Sequence, residues 1–428
     1  MATSRARKIP RIVLLLAATA ALGMSGERAK SQERVSNYAD LKAPQHAYWT
    51  RPLEDPFTKI KADLEAGRLP LDYSSEKNCV ISLLKHLKIP TASQMWVFST
   101  TSLQLRFISP RNPRALYFNE EIYLGYIPGG RIEIVSLDPE LGGIFYIFDL
   151  PRSGAPPTVE RANRCMNCHA GDDTGKVPGI VIKSVVPGPT GGSLKAFRLE
   201  QTGHGIPFSE RFGGWHVTGQ SGIKEHWGNL IGQYDEGKLT TIPNEPGQRF
   251  DVSMYPVATS DILAHLLHEH QAGFVDRVVE ASYRARTLLE EGGGKFRPPH
   301  RREMEAQADI LIRYLLFADE VPLPKGGVEG DPVFKEQFLA TRKETRNGLS
   351  LKDFDLKTRL FRNRCSYMIY SNVFQGLPDL FKQGVYLRLG QALDTKTPHP
   401  AYSYLSAIEK QTLHGILKET LPGLPATW

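Results

Sequence analysis

The chain holds 428 residues, 41% of them apolar, with a formal net charge of +7. That length can bury one large core or two ordinary ones, and four cysteines are too few for a disulfide scaffold. The charge also argues against a nucleic-acid surface. Arg5, Arg7, Lys8 and Arg11 carry four of the positive charges, so removing residues 1–23 takes the total from +7 to +3, and no later Lys/Arg cluster with interleaved aromatics remains to release counterions.

In chain order, residues 1–31 read as a secretory signal. The four basic residues precede an apolar run from Ile12 to Leu22, and small-x-small cleavage sites lie at Ala21-Leu22-Gly23 and Ala29-Lys30-Ser31. The run is short for a bilayer span, so the mature chain is expected to be periplasmic or otherwise exported, with no stable membrane span. Residues 32–150 begin with a stretch at 37–70 that reads as exposed helix. A better helix follows at about 75–87, where Ser74 or Ser75 can cap "EKNCVISLLKHL" and Glu76 sits in the first turn. Short β-branched and aromatic runs then predict strands: "QMWVFST", "LQLRFIS", "RALYFN", "EIYLGYI", "RIEIVSL" and "GIFYIFDL". Pro128-Gly129-Gly130 predicts a hairpin between two of them.

Residues 151–256 are Gly/Pro-rich and irregular, with one strand expected at "GIVIKSV" (179–185). So long a loop region suits a compact fold if a large cofactor supplies the core it wraps around. Residues 257–428 are helical in pattern, from "SDILAHLLHEHQAGFVDRVVEASYRARTLLEE" through "RREMEAQADILIRYLLFADE", "FKEQFLATRK", "LKTRLFRNRCSYMIYSN" and "PDLFKQGVYLRLGQALD" to "YSYLSAIEKQTLHGILKET". "EGGGKFRPPH" and "LPKGGVEGDP" punctuate this region.

The chemistry concentrates at Cys165-Met166-Asn167-Cys168-His169. On a helical turn the two cysteines are i, i+3 and the histidine is i+4 from the first, so the three side chains leave one face. Two thioethers can then hold a porphyrin edge while the imidazole reaches iron, which is the physical content of the c-type haem signature. A zinc site would need further ligands at a paired spacing, which Cys79 and Cys365 lack. A redox dithiol would follow a strand in a βαβ unit, whereas "GAPPTVERANRC" precedes this motif. The expectation is one covalently attached haem c, with Cys165 and Cys168 as thioethers and His169 as an axial ligand to iron. Cys79 and Cys365 are bridged or are two buried thiols; both readings stay open.

The opposite side of the iron separates an electron carrier from an enzyme. On the helix from Asp261, His270 shares a face with Leu263, Leu266, Leu267, Phe274, Val278 and Ala281, while His265 and His268 fall on the other side, toward solvent. Arg277 is placed to pair with a propionate. His204 and His226 lie in Gly-rich loops that permit close approach to a flat macrocycle, with Trp215 and Trp227 to cover it. Met254 is a further possible ligand, more simply read as packing under a helix start. His226 or His270 is the candidate second axial ligand.

The fold class expected is α+β: an N-terminal β-rich meander or sandwich, a central irregular haem-binding segment and a C-terminal helical region. The chain resembles a group of exported bacterial proteins described as cytochrome c domain-containing. The resemblance covers most of the mature chain and is carried by "STTSLQLRFISPRNPRALYFNEEIYLGYIPGG", "RCMNCH", "RFGGWHVTG" with "HWGN", "LLHEHQ", "YLLFADE" and "LFRNRCSYMIYS". It implies a monohaem protein that transfers electrons to an unidentified redox partner, without an assigned substrate. His169, His204, His226 and His270 have counterparts among that group's recurring histidines, whereas Gln220-Ser221 stand where it often carries another. A haem enzyme, peroxidase or oxygenase, with an open distal site is the alternative function.

Overall fold

Local signals set the first elements. The computed structural model describes residues 37–150, 155–197, 203–426 and 428, so the signal expected at 1–31 lies outside the described residues. Helix α1 (Pro56–Glu65) starts where Asp55 accepts hydrogen bonds from the Phe57 and Thr58 amides and Pro56 supplies a preset φ. Helix α2 (Glu76–His86) starts where the Ser75 hydroxyl accepts from the Asn78 amide. Of the stretch 37–70, only α1 is helical. His46 and Tyr48 ahead of it are buried in turns rather than exposed on a helix.

The strands that follow form a meander: β1 (Met95–Val97), β2 (Arg114–Phe118), β3 (Ile122–Tyr126), β4 (Arg131–Asp138) and β5 (Gly142–Asp149). Strand β6 (Glu160–Arg161) joins one edge. After α3 (Met166–His169), β7 (Val185–Pro187) and β8 (Ser193–Ala196), β9 (Trp215–His216) joins the other edge. The result is a seven-stranded antiparallel sheet in the order β6-β5-β4-β3-β2-β1-β9. The β3–β4 hairpin turns at Pro128-Gly129-Gly130, and Gly129 takes the positive φ of 75° that such a turn requires. Strands β10 (Leu230–Asp235) and β11 (Lys238–Pro243) form a separate hairpin.

Alternation along the strands divides the sheet into two packed faces. On one, Trp96, Tyr117, Leu124, Ile134 and Tyr146 meet Phe57 of α1 and Val80, Leu83 and Leu84 of α2. On the other, Val97, Phe118, Tyr123 and Leu137 meet the helical half, chiefly α4 (Ile262–Glu291). Helices α5 (Pro298–Leu315), α6 (Pro332–Leu339), α7 (Asn372–Gln375), α8 (Asp379–Leu393) and α9 (Ala407–Thr420) complete that half. The fold is therefore α+β, with a meander rather than a sandwich at its N-terminal end. Among the described residues, no helix is long and apolar enough to cross a membrane.

Three segments depart from the sequence reading. Leu103–Ser109, expected as a strand, contains a 3-10 turn at Leu105–Phe107. Side chains satisfy the backbone there and nearby: Gln104 bonds the Arg131 amide and carbonyl, and Asn112 bonds the carbonyls of Phe107 and Pro128. The "GIVIKSV" strand pairs only from Val185 onward, because the Ile180 amide is taken by the Asp276 carboxyl instead of a neighbouring strand. Residues 356–372, expected as a helix, are irregular apart from a 3-10 turn at Tyr367–Tyr370 and Asn372, which opens α7. The Leu360 amide donates to Glu320 and the Ser366 amide to the Leu315 carbonyl, so distant partners replace helical ones.

Helix α4 corrects the assignment of His265 and His268 to solvent: they are 3% and 4% exposed. Its first turns have the sheet on one side and α5 with its following loop on the other, so no face is left for water. Cys79 and Cys365 are buried free thiols in different hydrophobic clusters and are not bridged.

Candidate functional site

The CxxCH turn is held to the sheet at both ends. The Ala162 amide bonds the Phe145 carbonyl on β5 at 2.8 Å. A 3-10 turn over Asn163–Cys165 then leads directly into α3. Met166 points into the core and pins the turn, while Cys168 is exposed and Cys165 and His169 are half-buried. The two thiols and the imidazole thus project together from one short segment. Burial, reinforced by the negative charge of Glu133, pushes the Cys165 thiol up to about 12, so it stands as the neutral S–H form.

His169 is oriented by a reciprocal pair of bonds with Gly179. Its Nδ1 lies 2.9 Å from the Gly179 carbonyl, and the Gly179 amide donates to the His169 carbonyl, also at 2.9 Å. A carbonyl only accepts, so Nδ1 carries the proton. Burial lowers the pKa of His169, against an opposing contribution from the Gly179 bond. The ring is therefore neutral at pH 7, with its lone pair on Nε2, and Phe145 packs against it with centroids 4.5 Å apart.

Gly179 has no room for a side chain: a Cβ there would lie 2.3 Å from Asp276 Oδ1 and 2.8 Å from Thr174 Cβ. Asp276, on α4, accepts from the Ile180 amide at 2.8 Å. Burial raises its pKa well above the ordinary carboxylate value. The segment after Gly179 continues to Lys183, whose carbonyl accepts from the Trp215 indole at 2.9 Å. One short stretch thus links the CxxCH turn, α4 and the sheet edge at β9.

On the sheet beneath, Arg114 and Glu133 pair at 2.8 Å. Burial opposes ionisation of Glu133, but Arg114 and hydrogen bonds from Ser102 and Gln104 outweigh it and hold the carboxyl below its usual range. Leu116, Glu133 and Val135 lie on the central strands and share a face, yet remain partly exposed. The helical half does not cover them completely.

The chain matches no family model, no curated protein and no solved structure. The chemistry of the site therefore rests on its own geometry. Among the described residues, no three His, Cys, Asp or Glu side chains are arranged to hold one metal ion.

The other sequence-predicted residues are dispersed. His270 is fully buried: its Nε2 is 2.8 Å from the Ser366 hydroxyl, its Nδ1 is 2.8 Å from His204 Nδ1, and its ring stacks with Phe317. Both its nitrogens are thus engaged, as is Nδ1 of His204. His226 packs edge-on against Phe212, accepts from the Gly228 amide through Nδ1, and lines a cleft of about 1040 Å³ with Val217, Lys224 and Asn229. Neither His226 nor His270 has any of the neighbours named for His169. Met254 is exposed in a 3-10 turn, Trp227 packs on Phe197, and Arg277 lies over the Tyr314 ring.

His268, which helix periodicity assigned to solvent, is buried beside the sheet. Its ring packs against Phe118, Tyr123 and Trp215, with centroids 5.3, 5.6 and 6.3 Å away. Burial, with the charges of His265 and Arg114, lowers its pKa to about 3, so it is a neutral imidazole. Arg114 lies within electrostatic range of His169 as well. One signal was present in the chain: between Ile262 and Val275 the only charge is Glu269, and apolar residues occupy every side of the helix, the pattern of a helix buried all round.

Proposed function

We propose that this chain is an exported monohaem c-type cytochrome that transfers electrons. The carrying observation is the His169 Nδ1–H···Gly179 bond, which fixes the tautomer and presents Nε2 as a ligand, beside two unbridged thiols on the same turn. This donor set fits a haem. Cys165 and Cys168 would hold it by adding S–H across its two vinyl groups, each forming an S–C bond while the hydrogen goes to the other vinyl carbon, so attachment would need no oxidant. When bound, the haem supplies one-electron chemistry at its iron. His169 would hold that iron through Nε2, and the Gly179 carbonyl, bonded to Nδ1, keeps the ring from rotating. The partly exposed Leu116 and Val135 offer an apolar floor, and the Arg114–Glu133 pair is internally neutralised, so it adds little net charge to the site.

The test is expression of the chain with its signal in a host that attaches haem c. Covalent haem, seen as added mass and a c-type pyridine haemochrome spectrum, is expected in the wild type and absent from the Cys165→Ala/Cys168→Ala double variant. A reduced spectrum indifferent to carbon monoxide supports the carrier. Ready carbon monoxide binding by the wild type favours a haem enzyme with an exchangeable distal site. Wild-type protein without covalent haem rejects the proposal.

A further inference from the structure

We infer that His268 is the second axial ligand, reaching the iron from the α4 side, opposite His169. This rests on the haem reading above and goes beyond it by naming the residue that closes the other coordination position. Three independent observations lead to it.

The first is the state of the three histidines on the opening turns of α4. His265 Nε2 is held by the Ser260 hydroxyl and the His216 carbonyl, at 3.1 and 3.0 Å. His270 is bonded at both nitrogens, to Ser366 and His204. His268, equally buried, makes no hydrogen bond among the described residues. Unlike the nitrogens of His216, which are sealed and unpartnered, those of His268 are not fully closed off, so they stay open to a group that arrives later. Metal ligation satisfies such a nitrogen.

The second is register. Phe118 pairs with Tyr123, Tyr123 with Val135, and Val135 with Phe145, forming one row across four adjacent strands on one face of the sheet. His268 packs on the Phe118–Tyr123 end of that row and His169 on the Phe145 end. Strand spacing puts Tyr123 and Phe145 roughly 10 Å apart. Between them stands the partly exposed Val135. In the next row Gly125 faces Glu133, and the space over this glycine is taken by the Glu133 carboxylate and Leu116, 3.2 and 3.4 Å from where a Cβ would stand, so Val135 is the partly exposed floor between the two imidazoles.

The third is anchoring. His268 is fixed on three sides by Phe118, Tyr123 and Trp215, and the same helix, through Asp276, holds the Gly179–Ile180 segment that orients His169. Asp276 is two turns beyond His268, about 12 Å along the helix axis. One rigid element thus sets the positions of both imidazoles, as a low-spin electron-transfer site needs.

The experiment uses the haem-loaded full chain. His268→Ala should keep its covalent haem, lose the low-spin spectrum of the wild type, and bind carbon monoxide stoichiometrically when reduced. Added imidazole should restore the low-spin bands, which a merely structural defect would not allow. His226→Ala should leave the spectrum unchanged. If removal of the ring unfolds the chain, His268→Met serves instead: a low-spin spectrum with a methionine–iron charge-transfer band supports the assignment. An unchanged wild-type spectrum in His268→Ala or in His268→Met overturns it, as does a wild type that is already high-spin. Covalent haem in the wild type separates these outcomes from failure of the haem reading itself, which would appear as no attachment at all.

Discussion

Replacing Gly179 by alanine probes the hinge on which the site turns. The new methyl would lie 2.3 Å from Asp276 Oδ1, 2.8 Å from Thr174 Cβ and 3.0 Å from Thr174 Cγ2. Neither neighbour can yield freely. Asp276 is held on α4 by its bond to the Ile180 amide, and the Thr174 hydroxyl is tied to the Val177 carbonyl at 2.8 Å. Overpacking of this kind costs about 1–3 kcal/mol, and losing the Asp276–Ile180 bond or one of the His169–Gly179 bonds costs about 1 more. The expected destabilisation is about 2–4 kcal/mol, a large part of typical native stability. Gly192→Ala is the matched control, since a Cβ there meets nothing within 4 Å. Urea unfolding followed by tryptophan fluorescence should place the Gly179→Ala midpoint well below that of Gly192→Ala, with the slope unchanged. Coincident midpoints for the two variants would refute the proposed packing at Gly179, and with it the claim that this glycine positions His169.

The pH dependence of stability provides a second check. Asp276 has a folded-state pKa raised above its ordinary 3.8 by burial, so the stability it contributes is present below about pH 3.8 and is lost as pH rises toward the folded value. Asp276→Asn, which keeps an acceptor for Ile180, should flatten that part of the profile and leave the variant as stable as the parent, or more so, at pH 7. A steeper decline in the variant than in the parent would contradict the assignment. A third test concerns Arg211, which pairs with Glu269 at 3.1 Å and donates to the carbonyls of His204 and Ile206, with both charged side chains buried. Arg211→Leu should cost about 3–5 kcal/mol by stranding the Glu269 charge. Arg211→Leu/Glu269→Leu should cost less than the single change, and an additive double variant would show that the two charges are not coupled.

What the sequence determined by itself was short-range. The Cys165, Cys168 and His169 spacing places three side chains on one turn whatever surrounds it. Ser75 ahead of α2 and Pro128-Gly129-Gly130 between β3 and β4 act through bonds and dihedrals a few residues apart, so their patterns were legible, as was the meander they punctuate. Tertiary structure decided the rest, because burial and hydrogen bonding there depend on partners far along the chain. Leu360 gives its amide to Glu320, and Ser366 occupies His270, so a helical pattern at 356–372 and an apparently available ligand on α4 both read otherwise once folded. The same holds for His268. A one-face view of α4 sends it to solvent, but packing of the helix between sheet and bundle leaves no solvent face, and what remains is a buried imidazole without a partner, over the same strand row as His169.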